Sequence, residues 1–218
     1  TNGINGQIFC SDEEIPSEKL FDENVIIDLS RVGSMETKSL LMGVLVLKLQ
    51  EHRMAGGDMN AELRHVTVLE EAHNLLRRTS DIQTQESSNL QGKSVEMIAN
   101  AIAEMRTYGE GFIIADQAPG LVDPAVIRNT NTKIIMRLPD ESDRELVGKA
   151  ASLNDDQITE LAKLPLGVAA VYQNDWLESV LCKIDEYRSE RQEPLDYIPP
   201  DPNSRQCSSR MRIFIGRI

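Results

Sequence analysis

The sequence predicts an α/β domain: a mostly parallel sheet flanked by helices, with an antiparallel hairpin at one edge. Three observations carry this. Val/Ile-rich runs at 24–30 (NVIIDLS), 65–70 (HVTVLE), 111–117 (GFIIADQ) and 132–138 (TKIIMRL) have the continuous apolar character of strands buried on both faces. A long apolar helix pattern separates the first two, and strand, helix, strand is a crossover expected to be parallel and right-handed. Near the end, GVAAVYQ (167–173) and WLESVLCKI (176–184) flank Asn174 and Asp175, a turn pair typical of hairpins.

Taken in order, residues 1–23 offer a short apolar piece at Gln7 to Cys10 and a turn around Pro16, with no evident chemistry. Ser34 is a fair N-cap and Glu36 a favourable first-turn acid for a helix from Met35 to about Met54. That helix is apolar almost all round, through Leu40, Leu41, Val44, Leu45, Val46, Leu47 and Leu49, which predicts cover on both sides. Gly56 and Gly57 end it. After the second strand, Arg77 to Gln91 has no periodicity and reads as a loop, long enough to suggest function. Val95, Ile98, Ala99, Ile102 and Met105 recur at helical spacing, and Gly109 is placed to stop that helix. Further helices are expected at Asp123 to Asn129, at Asp140 to Ala151 and at Asn154 to Lys163. Beyond Asp185, Pro194, Pro199, Pro200 and Pro202 discourage core structure. The expected division is therefore 1–184 as the domain and 185–218 as a Pro-rich tail or the start of a following segment.

Composition narrows the function. The chain has 218 residues, a formal net charge of -12 and a pI near 4.8, which argues against a surface that binds nucleic acid wherever it touches it. A local basic channel remains compatible with that charge. Cys10, Cys182 and Cys207 match no disulfide framework or zinc spacing, and a reducing cytoplasm fits them best. No run approaches the roughly 18 apolar residues of a membrane helix, and the stretch TNGINGQIFC lacks the basic and apolar regions expected of a signal peptide. It begins with Thr, so the expectation is a processed, excised or partial product.

The most informative stretch is HVTVLEEAHNLL (65–76), a strand that stops on Glu70 and Glu71. In open α/β sheets ligands sit outside the carboxyl ends of strands, so these acids stand where a metal-bound phosphate is handled, the pattern of a Walker B motif. The same acids would also suit the N-terminus of a following helix. GFIIADQ brings Asp116 and Gln117 to the same sheet edge, beside Pro119 and Gly120.

From about residue 24 to 182 the chain resembles the second half of the motor domain of the HerA/FtsK superfamily, RecA-like ring-forming ATPases. VTVLEEAHNLL, AEMRTYGEGFIIADQAP and NTNTKIIMRLPDESD carry the resemblance in this order. It implies a partial RecA-like fold and assigns roles by position. Glu70 would hold the Mg2+ of the nucleotide, usually through water, and Glu71 would polarise the attacking water. Gln117 takes the sensor position. Arg106 matches the first basic residue of a pair, and Arg128 and Arg137 lie where rings present a cation to a neighbour's nucleotide. Each of these arginines is equally read as a surface charge. Thr107 and Ala118 depart from the family pattern, replacing a Lys and an Arg. His73 reads as a packed or capping histidine, and EEAH is not the zinc motif HExxH.

The phosphate-cradling loop G-x-x-x-x-G-K-[ST] has one decoy, Gly92-Lys93-Ser94, with Ser87 where the first Gly belongs and no strand before it. In the family this loop lies upstream. The implied parent is an ATP- and Mg2+-dependent DNA translocase or helicase, a homo-oligomeric ring and most simply a hexamer. Its pore loops would meet DNA, with Arg77 to Gln91 one candidate, and this chain alone would be inactive without the missing N-terminal half. Exposed surface that the missing strands would cover is expected to favour self-association. Two alternatives remain: an ATPase-like scaffold or partner-binding module without a P-loop, and a secretion or conjugation ATPase sharing the same chemistry.

Overall fold

The computed structural model describes residues 15–57, 59–78, 87–186, 196–197 and 212–215, with the backbone alone over 87–94 and the last two segments. Two compact units share the chain: 1–67, 104–112 and 191–218 form the first, 68–103 and 113–190 the second.

In the first unit, helix α1 (Ser17–Phe21) and strand β1 (Val25–Asp28) lead to helix α2 (Met35–Ala55). Ser34 begins α2 as expected, its hydroxyl accepting the Thr37 amide at 3.1 Å. An N-cap Ser removed from such a position costs about 1 kcal/mol. Ser34→Ala is thus expected to lower the unfolding free energy of the chain by that amount, read as a lower urea midpoint, and an unchanged midpoint would mean the cap contributes nothing. Only one side of α2 is covered. Leu41, Val46 and Leu49 are buried, while Met35, Leu40, Val44 and Met54 are exposed. Cover on both sides, expected from the all-round apolar pattern, is absent because nothing among the described residues packs on the second face.

The next strands are β2 (His65–Glu70) and β3 (Glu110–Ala115), which form a small two-stranded parallel sheet. Between them lies helix α3 (Ser87–Met105), which starts eight residues before the expected Val95. The stretch 87–91, expected as loop, is therefore helical, since helix boundaries are set by weak local preferences that a period pattern does not mark. Residues 79–86 of the expected loop lie outside the described residues. Gly92, Lys93 and Ser94 are inside α3, where the backbone is helical and forms no phosphate-cradling loop. Gly109 closes the 3-10 turn Arg106–Tyr108 with φ 81°, as its sequence position suggests.

The strands are less covered than their composition predicts. Val66 is 41% exposed, Val68 54% and Ile113 54%, so their outward faces meet no packing partner among the described residues. The expected crossover pairing of β1 with β2 is also not observed. The partner of β1 is β8 (Arg212–Ile215), antiparallel, with Val25 opposite Ile215 and Asp28 opposite Arg212. Strand β7 (Asp196–Tyr197) pairs with β8 in turn.

The second unit continues with helix α4 (Pro124–Asn129), strand β4 (Thr132–Ile135), helix α5 (Glu141–Ala150) and helix α6 (Asp155–Glu160). Asp123, Asp140 and Asn154 cap the three helices, Asn154 with Gln157 in a reciprocal capping box. Strands β5 (Val168–Gln173) and β6 (Val180–Lys183) follow. β4 pairs antiparallel with β5, and β5 with β6. The chain is thus α/β as expected, with a small parallel sheet of β2 and β3 and the hairpin within a three-stranded antiparallel sheet. The hairpin's connection is wider than the Asn174-Asp175 pair, since Val171 faces Val180. A two-residue slip keeps every side chain on its own face, so the apolar pattern tolerates it. Ile135, Ala151, Leu161, Leu164 and Ala170 form the core here, with Leu138, Val147, Leu153, Val168 and Tyr172 packed around them. No helix of the described residues is long and apolar enough to cross a membrane.

Candidate functional site

The ends of β2 and β3 in the second unit bring the polar residues together. Glu70 is the last residue of β2 and is exposed. Glu71 follows in the left-handed region, with φ 52° and ψ 50°, and the chain then turns through a 3-10 turn at Ala72–Asn74. This turn is why the adjacent acids do not simply alternate along a strand: the reversal in backbone direction gives Glu71 its own orientation. Ala72 and Leu76 are fully buried and anchor the turn.

At the end of β3 stand Asp116 and Gln117. Gln117 Nε2 donates to Glu71 Oε1 at 3.0 Å, so two of the residues singled out in the sequence are in direct contact. Asp116, whose side chain is only 6% exposed, accepts the His73 amide at 2.8 Å and lies 2.9 Å from His73 Nδ1 through the same Oδ2. Its Oδ1 accepts the Ala118 amide at 2.9 Å. His73 Nδ1 is also 3.7 Å from Glu71 Oε2.

The loops beyond these residues are laced together. The Asp123 amide donates to the Leu76 carbonyl at 2.8 Å and the Arg78 amide to that of Leu121 at 2.7 Å, while the Gly120 amide donates to Asp143 Oδ1 at 2.8 Å. The segments after both strands are therefore held at one edge by main-chain bonds.

Other residues named from the sequence fall elsewhere. Arg128 lies in the last turn of α4 and Arg137 just after β4; both are exposed, and among the described residues neither pairs with Glu70 or Glu71. Arg106 belongs to the first unit, exposed in the 3-10 turn Arg106–Tyr108. Lys133, by contrast, is buried on β4; burial pushes its ammonium below the usual range, and it donates to the Thr130 carbonyl at 2.9 Å.

Sequence reasoning missed two arrangements. One is the Asp116–His73 link: both residues were in view, but spacing along the chain says nothing of contact across 43 positions. The other is Glu110 in the first unit, a carboxylate with 0% side-chain exposure. It accepts from Arg53 Nε at 2.9 Å and Thr67 Oγ1 at 2.6 Å, and His65 Nδ1 lies 2.8 Å away. Arg53 also donates to Asp22 and to the Phe21 carbonyl. Burial opposes the Arg53 charge, but hydrogen bonds to Asp22 and Glu110 outweigh it and raise its pKa. The only legible signal was an acid opening an apolar strand.

No family model matches the chain. It is 24% identical over 172 residues to a probable helicase of Methanocaldococcus jannaschii, covering 76% of this chain and 31% of that protein. It is 30% identical over 123 residues to the DNA double-strand break repair helicase HerA of Sulfolobus acidocaldarius, covering 56% of this chain and 23% of that protein. Among solved structures, the genome packaging NTPase B204 of Sulfolobus turreted icosahedral virus 2, in complex with sulfate, is similar with a TM-score of 0.49 and 13% identity. That match covers 69% of this chain and 65% of B204. By sequence the chain is similar to HerA helicases, and it spans less than a third of the length of the curated relatives it matches.

Proposed function

We propose that this chain is the part of an ATP-hydrolysing DNA translocase or helicase motor that carries the water-activating acid and the sensor, while the phosphate-cradling loop lies in another part of the whole protein. The observation that carries the reading is the 3.0 Å contact of Gln117 with Glu71 at the ends of two paired parallel strands. Glu71 is the acid that orients the attacking water, and Gln117, a neutral donor and acceptor, relays the state of the γ-phosphate to it. Glu70 is the Mg2+ residue. Among the described residues no group of three or more His, Cys, Asp or Glu could hold a metal, and a lone exposed carboxylate fits an ion that takes its remaining ligands from phosphate and water. When bound, that ion neutralises charge on the phosphates.

The exposed faces of Val66, Val68 and Ile113 support a domain completed by further chain, since apolar strand faces of this kind are normally covered. In a ring, most simply a hexamer, Arg106, Arg128 or Arg137 supplies a cation to a neighbour's nucleotide, a role suited to a planar guanidinium. DNA would be met by pore loops, so the acidic net charge of the chain is no obstacle.

The test is ATP hydrolysis by the full-length protein with Mg2+, with and without duplex DNA. Turnover that requires Mg2+ and rises on adding DNA is expected. A full-length protein that does not hydrolyse ATP, or whose turnover is indifferent to DNA, would overturn the motor reading.

A further inference from the structure

The proposed role of Glu71 demands that its carboxylate be held still, yet its backbone is of a kind that does not hold itself. Glu71 has φ 52° and ψ 50°, and side chains with a Cβ rarely adopt this region. Such a conformation persists only where the surroundings over-determine it. Two bonds are local: the amide and the side-chain Nδ2 of Asn74 both donate to the Glu71 carbonyl at 2.9 Å. Beyond these and the Gln117 bond to the carboxylate, a further side chain at the end of the neighbouring strand ties the turn down.

That side chain is Asp116. Its Oδ2 takes the amide two residues after Glu71, and its Oδ1 takes the amide directly after Gln117. The backbones that carry both proposed catalytic groups are thereby tied to a single, nearly buried carboxylate. A carboxylate only accepts, so the 2.9 Å approach of His73 Nδ1 requires the proton on that nitrogen. The ring is fixed in one tautomer beside Glu71, whose Oε2 is 3.7 Å from the same nitrogen. Resting on the reading of Glu71 and Gln117 given above, we infer that Asp116 and His73 are positioning residues for that reaction: Asp116 sets the separation of Glu71 and Gln117, and His73 is the wall against which the Glu71 carboxylate is oriented.

The experiment uses the full-length protein and four variants, Glu71→Gln, Asp116→Asn, His73→Ala and His73→Asn. Asn at 116 offers one acceptor and one donor and does not reproduce all three interactions. Its kcat for ATP is expected to fall by on the order of 10²-fold, the cost of a misplacement of about 1 Å, with KM for ATP within about two-fold of the parent. His73→Ala is expected to lose about ten-fold in kcat, and His73→Asn to recover most of it, because its amide can donate to Asp116 much as Nδ1 does. Thermal unfolding of each variant reports the folded fraction, and kcat is expressed per folded protein. Normal kcat in Asp116→Asn, a loss expressed as KM alone, or His73→Asn no better than His73→Ala would overturn the inference. Should Asp116→Asn not fold, the two His73 variants still decide it. An active Glu71→Gln overturns the functional reading itself, whereas an inactive Glu71→Gln beside a fully active Asp116→Asn overturns only the positioning roles.

Discussion

Replacing Glu71 by Gln in the full-length protein is expected to lower ATP turnover by at least about 10²-fold while leaving nucleotide binding within a few-fold of the parent. The substitution keeps the size of the side chain and its oxygen, so the Gln117 amide retains an acceptor near its present 3.0 Å position. What disappears is the negative charge proposed to polarise a water for attack, an interaction that would be stronger in the transition state than in the ground state. The loss should therefore appear in kcat. Glu70→Gln provides the contrast, since that exposed residue is proposed to act on the metal and its loss should be partly offset by raised Mg2+. Turnover measured across a Mg2+ series, alongside equilibrium binding of a fluorescent nucleotide, separates the two. Equal turnover in Glu71→Gln and the parent would remove the catalytic assignment.

The largest effect on stability is expected at Glu110. Glu110→Leu, similar in volume, leaves Arg53, Thr67 and His65 facing an apolar side chain in a place where the carboxylate has 0% exposure. Removing one partner of a buried ion pair costs about 3–5 kcal/mol, because the charge left behind is desolvated without compensation. Arg53 keeps its hydrogen bond to half-exposed Asp22, which places the expected loss toward the lower end of that range. The double variant Arg53→Met with Glu110→Leu should recover a large share, since a buried pair replaced as a whole is often close to neutral. Urea unfolding of the full chain and its variants checks both statements. A Glu110→Leu loss below about 1 kcal/mol would mean that water reaches the cluster and screens it.

Much of the local structure was legible. The stop signals at Gly56 and Gly109 and the cap Ser34 sit where a local rule puts them, and the three later helices begin next to their expected first residues Asp123, Asp140 and Asn154. These rules concern neighbours within about four positions, and the sequence displays those directly. The misses share a cause as well. Burial on both faces was inferred from Val/Ile content, but exposure of Val66, Val68 and Ile113 depends on what packs over them, which composition does not encode. The early start of α3 and the wider hairpin turn reflect boundary residues whose local preferences are weak.

For the proposed site the division is similar. The sequence alone put Glu70 and Glu71 at the end of one strand and Asp116 and Gln117 at the end of another, because an apolar run that stops on a polar residue is a one-dimensional pattern. It also made the helicase resemblance visible before any coordinates. Only the tertiary structure decided that Gln117 reaches Glu71, that Asp116 turns inward to His73, and that Glu71 stands in a left-handed turn. It likewise decided that β1 pairs with β8 and that Glu110 is enclosed by Arg53, Thr67 and His65. These are contacts between residues tens of positions apart, fixed by strand register and packing, and no local preference of either partner specifies them.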